Sequence, residues 1–334
     1  MKHKGKWWLC LVLAIVVLLT TGKGAVLAEE KTLDADDLHA AAAVVMDGET
    51  GEILFGKNAD DRRAMASTTK IMTLLVALEY GDFTEPVTVS ANAARQPKVR
   101  MNLKEGETFW LIDLLYAMML VSYNDAAVAV AEAVAGDVES FCYLMNLKAR
   151  ELGAFDTHFV TPNGLDAENH FSTAADMARI ARAALDDEEA MQIMQTRSYT
   201  IQQDEINCRN VQLLNKNPLL STYTAANGGK TGYTNEAGLC LVGLAERDGV
   251  QVVSVVLGSG WPPHSNYRVS DTVKLFDYGF KEASRQKALR EAAEKEIAEE
   301  KWFRRIVWNV CKSIWPSAAA DPAENVKNGL RQAW

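Results

Sequence analysis

Three short groups of residues in this chain have the types and spacing of covalent catalysis. Ser67-Thr68-Thr69-Lys70 places a hydroxyl and an amine at i and i+3. On a helix those positions share a face, so the lysine stem reaches the hydroxyl. A serine hydroxyl is a weak nucleophile until a base takes its proton. Lys70 is such a base only when neutral, which requires burial or nearby positive charge to lower a pKa ordinarily near ~10.4. Lys230, in Lys230-Thr231-Gly232, is the candidate for that charge. Ser122-Tyr123-Asn124 adds an amide to orient Lys70 and a hydroxyl to pass a proton to a leaving amine. A helix start at Ser67 favours developing negative charge. Gly232 is expected to let a substrate backbone lie close against its strand.

Each group alone is a weak signal. At average composition S-x-x-K and S-x-N each arise about once in a chain of this length, and K-T-G in roughly one chain in ten or twenty. Ser67 and Ser122 would also serve as plain helix N-caps, and Lys230-Thr231-Gly232 as a turn. The set is more telling, because each group falls at the start of its own element. Ile71, Leu74, Leu75 and Leu78 follow helical spacing after Ser67, and Gly81 stops the run. Ser122 lies in a loop that opens an Ala-rich helical stretch, Ala126 to Ala135. Lys230 to Tyr233 begins a series of apolar or β-branched runs that continues with Leu239 to Ala245 and Val250 to Leu257.

The remaining elements must hold these groups together. Ala40 to Met46 and Glu52 to Phe55 read as a hairpin around Asp47-Gly48-Glu49-Thr50-Gly51. Val138 to Leu152 and Ala174 to Leu185 continue the helical middle, Ser198 to Leu213 turns toward alternation, and Asn266 to Phe280 returns to helix. Strands at both ends with helices between predict an α/β (α+β) fold. Its antiparallel sheet is built from both ends of the chain, flanked by helices, and carries an all-helical insert subdomain.

These residues resemble the penicillin-recognising serine enzymes, whose S-x-x-K, S-x-N and K-T-G motifs form one active site. Ala66 to Thr73, Ser122 to Ala127, Thr161-Pro162-Asn163-Gly164-Leu165-Asp166 and Lys230 to Thr234 are similar to the low-molecular-mass D-alanyl-D-alanine carboxypeptidases, a resemblance spanning residues 38–280. It implies an enzyme that trims the terminal D-alanine from peptidoglycan pentapeptides through an acyl-enzyme on Ser67, and that penicillins and other β-lactams inhibit covalently. It implies catalytic roles for Ser67, Lys70, Ser122 and Asn124, and substrate-binding roles for Lys230, Thr231, Gly232, Tyr233 and Arg268. The backbone amides of Ser67 and Tyr233 would form the oxyanion hole. Thr231 and Arg268 would hold the substrate's terminal carboxylate, to which a guanidinium fork donates two parallel bonds. From position alone, Arg268 is equally well read as a surface helix residue. Two features depart from the family. Tyr123 stands where a glycine is usual, and is expected to narrow the site or alter access to it. The 54 residues after Phe280 are mostly helical in pattern, so the family's separate β-rich domain is not expected.

Other classes fit less well. Class A β-lactamases share the three groups but need a glutamate for deacylation in a Glu-x-x-x-Asn-type loop; Glu151, Glu168, Glu188 and Glu189 lack that pattern. Gly229-Lys230-Thr231 imitates the end of a phosphate-binding loop, yet Thr224 occupies the place of its first glycine. His39, His158, His170 and His264 are isolated, His170 reading as a helix-start residue. Cys142, Cys208, Cys240 and Cys311 are scattered, without a C-x-x-C pair or a disulfide framework. No metal or other cofactor is therefore expected. A non-enzymatic peptidoglycan-binding role on the same fold is the competing reading. Retention of Ser67, Lys70 and Lys230 together argues against it.

The two ends of the chain carry a different kind of information. Residues 1–28 have a lysine-rich start, an apolar run from Trp7 to Leu19 and small residues Val26 and Ala28, the layout of a secretory signal peptide. An uncleaved anchor helix is the alternative. Removing its four lysines and no acid takes the chain from −9 to −13, which argues against a nucleic-acid partner. The catalytic domain is then residues 29–280, with a charged helical linker at 281–300. In 301–315, Trp302, Phe303, Ile306, Val307, Val310, Cys311 and Ile314 recur at helical spacing, with Lys301, Arg305 and Lys312 opposite. That segment is expected to lie on the outer face of the cytoplasmic membrane, or else to dock on the catalytic domain. Residues 316–334 read as a flexible tail.

Overall fold

The computed structural model describes residues 33–263 and 266–314. The expected signal peptide, His264 and the tail at 316–334 lie outside the described residues. The strands are β1 (Ala42–Asp47), β2 (Ile53–Lys57), β3 (Ala226–Thr234), β4 (Gly238–Arg247) and β5 (Val250–Leu257). They form one antiparallel sheet in the order β2-β1-β5-β4-β3. The first hairpin joins the last three strands through β1 and β5, with Ala42 opposite Leu257 and Asp47 opposite Val252. This is the sheet expected from both ends of the chain. All six residues of β1 are buried. It reads as a continuous apolar run rather than an alternation because helices cover both faces of the sheet.

One face carries the helical insert, with α1 (Lys70–Tyr80), α2 (Asn124–Ala135), α3 (Val138–Glu151) and α4 (Ala174–Ala183). Lys70 to Ala77 of α1 are all buried, so this helix is central and has no wet side over that stretch. The run Ala126 to Ala131 in α2 is also buried, its small side chains allowing close helix approach. Thr173 starts α4 by accepting the Asp176 amide on its hydroxyl at 3.0 Å. The insert also contains two short antiparallel ladders, Pro86–Thr88 with Thr108–Trp110 and Ser198–Ile201 with Val211–Leu214. The second ladder accounts for the alternation between Ser198 and Leu213.

The opposite face is covered by α5 (Tyr267–Ile314), through Leu275, Phe276, Phe280 and Ala283. Gly279 permits this packing: a Cβ there would lie 2.5 Å from Val45 Cγ2. The segments 281–300 and 301–314 continue α5 without a break. Cys142 and Cys240 are buried free thiols, pushed up by burial to about 12 and about 11 respectively, and so unreactive. Cys208 is a free, exposed thiol.

Two features of this fold set up the site. The strand carrying Lys230-Thr231-Gly232 is an edge strand of the sheet. The turn carrying Ser67 packs against that same strand.

Candidate active site

Ser67 sits in a 3₁₀ turn, Ala66–Thr69, that leads directly into α1. The adjacent threonines hold the turn: Thr68 Oγ1 donates to the Met65 carbonyl at 2.6 Å, and Thr69 Oγ1 to the Ala66 carbonyl at 2.8 Å. Two glycines let neighbouring segments reach it. Gly164, at φ +78°, passes so close that a Cβ would fall 2.0 Å from the Ala66 carbonyl oxygen. At Gly232 a Cβ would meet Ala66 Cβ at 3.0 Å and the Ser67 amide nitrogen at 3.1 Å. The missing side chain of Gly232 thus makes room for the nucleophile turn, and the residue also lines the cleft.

Lys70 is fully buried, and its Nζ has three polar neighbours. Ser67 Oγ and Asn124 Oδ1 each lie at 3.0 Å, and the third is the Asn163 carbonyl. Burial and then the Lys230 charge hold its pKa well below the ordinary lysine value, with Asp125 opposing. A neutral amine has two N–H groups and one lone pair. Asn124 Oδ1 and the Asn163 carbonyl can only accept, so they take both hydrogens. The lone pair then faces Ser67, whose hydroxyl is the one partner able to donate. The Asn124 amide is oriented for this by donating its Nδ2 to the Pro97 carbonyl at 3.2 Å. Its neighbour Asp125 is buried and accepts the Met101, Leu103 and Ala126 amides at 2.9 to 3.0 Å, fixing the loop that contains Lys98 and Val99.

Ser122 follows a π-helical turn, Ala117–Val121, and adopts a left-handed conformation at φ +71°. A non-glycine residue held there stores of order 1–3 kcal/mol of strain, and such strain clusters at functional sites. Lys230 is buried, donates to the Thr231 carbonyl at 3.0 Å, and is lowered to about 7 by burial and then by Arg268. Arg268, in the first turn of α5, donates Nη1 to the Gly232 carbonyl at 3.2 Å. Its Nε is buried with no partner among the described residues. The position is therefore part of the cleft and not a surface helix position. A half-buried guanidinium with an unsatisfied donor and no acid beside it is primed for an anion.

All nine sequence-derived site residues come together. Ser67, Ser122, Asn124, Thr231, Gly232, Tyr233 and Arg268 line a cleft of about 350 Å³, with Lys70 and Lys230 buried behind. Tyr123 departs from expectation. It does not line the cleft, and its ring packs partly buried against the main core. Three contributors were missed from sequence. Lys98 and Lys216 also line the cleft, and among the described residues no carboxylate does; lone lysines outside any motif give no signal. Asn163 acts through its main chain, and only the Pro162-Asn163-Gly164 turn hinted at it. His170 is corrected from a helix-start residue to a buried neighbour of the nucleophile turn. Its Nε2 lies 3.1 Å from Thr69 Oγ1, its Nδ1 accepts the Val160 amide, and burial lowers it to about 4.

The cleft meets known proteins at this point. A family model described as D-alanyl-D-alanine carboxypeptidase matches residues 29–260. The D-alanyl-D-alanine carboxypeptidase DacF of Bacillus subtilis is 35% identical over 79% of this chain and 68% of its own length. DacC of Escherichia coli, of the same description, is 37% identical over 76% of this chain and 64% of its own. Among solved structures, a variant of the Streptomyces K15 DD-transpeptidase superposes with a TM-score of 0.68 at 32% identity, covering 75% of this chain and all of that one.

Proposed function

The chain belongs to the D-alanyl-D-alanine carboxypeptidase family of serine peptidases, and from that premise we propose that it releases the terminal D-alanine of peptidoglycan stem peptides through an acyl-enzyme on Ser67. One observation carries the proposal. The partners of Lys70 suit a neutral amine whose lone pair faces the Ser67 hydroxyl, at the mouth of a cleft walled by an unpaired edge strand. An extended peptide adds to such an edge as a further strand.

In this mechanism the terminal carboxylate sits on Thr231 and Arg268, drawn by a cleft lined with Lys98, Lys216 and Arg268 and, among the described residues, no acid. Ser67 Oγ attacks the carbonyl between the two D-alanines as Lys70 takes its proton. The oxyanion is held by the Ser67 and Tyr233 amides. Ser122 passes a proton to the departing amine and D-alanine leaves. Water then cleaves the ester and restores Ser67. The assay is release of free D-alanine from a pentapeptide ending in D-Ala-D-Ala; none released would overturn the proposal.

Arg268→Ala gives a sharper test of substrate orientation. It should lower kcat/KM for the pentapeptide by about tenfold to a hundredfold, in line with a lost charge-assisted bond pair. A thioester substrate without the free carboxylate should be affected much less. Equal losses on both would make Arg268 a structural residue.

The enzyme is further proposed to be exported by residues 1–28 and held on the outer face of the cytoplasmic membrane by the end of α5. No helix among the described residues is long and apolar enough to cross a membrane. Trp302, Phe303, Ile306, Val307, Trp308 and Val310 are instead 39 to 59% exposed, so this stretch does not dock its apolar side on the catalytic domain. An amphipathic helix with basic residues and tryptophans suits a flat position in an anionic lipid interface. A chain ending at Glu300 should lose binding to anionic vesicles while keeping its activity and melting temperature. Unchanged vesicle binding, or a lower melting temperature, would reject the anchor.

A further inference from the structure

His170 does not line the catalytic cleft, yet it ties together two segments that shape it. Its ring is buried, as are Thr69 and Ala66 beside it. Nδ1 accepts the Val160 and Thr161 amides at 3.0 and 3.4 Å, and Nε2 lies 3.1 Å from Thr69 Oγ1. Thr69 Oγ1 in turn reaches the Ala66 carbonyl at 2.8 Å.

The direction of each bond in this chain is fixed by its ends. Backbone amides only donate, so Nδ1 carries the lone pair and the neutral ring holds its proton on Nε2. A carbonyl only accepts, so the threonine hydrogen goes to Ala66 and the threonine oxygen accepts from Nε2. Burial lowers the His170 pKa to about 4, which keeps the ring in this neutral form at pH 7.

The far end of the chain is an oxyanion-hole donor. The Ala66 carbonyl and the Ser67 N–H belong to one planar trans peptide, so whatever fixes the carbonyl aims the amide the opposite way. Ser67 lies in the first turn of its helical segment, where an amide has no partner within the helix. That peptide needs holding, because Ala66 sits at φ +49°, a conformation unfavourable for a residue with a Cβ. The other side of the imidazole holds the companion segment. Just beyond Val160 and Thr161 come the Asn163 carbonyl, which accepts from Lys70, and Gly164, whose amide donates to Thr161 Oγ1 at 3.2 Å.

Resting on the reading above, we propose that His170 is a positioning residue for the oxyanion hole: through Thr69 and the Ala66–Ser67 peptide it aims the Ser67 amide at the developing charge. It exchanges no proton with substrate. Its role is to align the donor before the reaction starts, so that no reorganisation is needed when the oxyanion forms.

Three substitutions in the full chain test this. Thr69→Val deletes one hydroxyl and keeps the branched shape. His170→Phe keeps a ring and removes both nitrogens, whereas His170→Gln retains one acceptor and one donor. The readouts are the rate of Ser67 acylation by penicillin and the infrared carbonyl stretch of the resulting ester, which falls as hydrogen bonds to its oxygen strengthen. Thr69→Val and His170→Phe should each slow acylation by about tenfold to a hundredfold, short of the roughly 10²–10³ for outright loss of an oxyanion donor. Both should also raise the carbonyl stretch, and His170→Gln should bring rate and stretch back toward those of the unsubstituted chain. A merely structural role would lower the melting temperature without moving the stretch of the folded acyl-enzyme. If His170→Phe does not fold, Thr69→Val decides the matter alone. An unshifted carbonyl in Thr69→Val, or a folded His170→Phe that matches His170→Gln, overturns the proposal while leaving the carboxypeptidase reading intact. Absence of any Ser67 adduct in the unsubstituted chain overturns that reading, and this proposal with it.

Discussion

Penicillin is expected to form a single covalent adduct, on Ser67, and that adduct should persist. Ser67→Ala should remove it entirely and lower D-alanine release by roughly 10⁴-fold or more, the scale seen when a nucleophile that works as one unit with its base is deleted. The reason is geometric. Ser67 is a hydroxyl lining the cleft with a buried amine at 3.0 Å, and it stands in the first turn ahead of α1, where negative charge is favoured. Persistence follows from what surrounds the ester. Among the described residues no carboxylate lines the cleft, and Glu168 lines a neighbouring cavity instead. Water therefore has no carboxylate base for attack on the bulky penicilloyl group. Intact-mass and peptide mass spectrometry check both points. An adduct on another residue, or rapid multiple turnover of penicillin, would contradict this account.

Lys70→Arg should be as damaging as Lys70→Ala, each slowing acylation by about 10²–10⁴-fold, the usual contribution of one general base. The comparison separates two roles. If Lys70 served as a fixed charge, arginine would rescue it; as a proton acceptor it must be neutral, which arginine never is. The same logic fixes the sign of the pH dependence. Burial and the Lys230 charge hold Lys70 well below the ordinary lysine value, so its basic form persists far below pH 10. Acylation should fall as pH drops through that lowered pKa and Lys70 gains its proton. Stopped-flow measurement of penicillin acylation across pH tests this, with thermal melts to confirm folding. Full rescue by arginine, or a rate that rises toward acid, would remove Lys70 from the base role.

Much of the framework was legible in the sequence because it depends on near neighbours. The spacing of Ile71, Leu74, Leu75 and Leu78, with Gly81 beyond, marked α1. The runs Leu239 to Ala245 and Val250 to Leu257 marked β4 and β5. Helix and strand periodicities are set over a few residues, so they survive in a one-dimensional pattern. The Ser67–Lys70 contact is of this local kind. The Ser198 to Leu213 segment was less clear, since a four-residue strand gives little alternation to read.

What the sequence alone determined is therefore the reactive groups and the elements that carry them: a serine and a lysine one turn apart, a serine–asparagine loop, and a K-T-G strand. Only the tertiary structure decided their chemical state. Lys70 is placed to act as a base because the Asn163 carbonyl, 93 residues away, and Asn124, 54 away, lie within hydrogen-bond reach of its amine inside a buried site. Arg268 becomes a carboxylate-binding candidate because α5 returns to the Gly232 carbonyl, 36 residues before it. Gly232 is needed because the nucleophile turn packs on an edge strand from the other end of the chain. These are effects of desolvation and of contacts between distant segments. A pKa or an ion site reports what surrounds a group in space, and residue order fixes that only after the chain has folded.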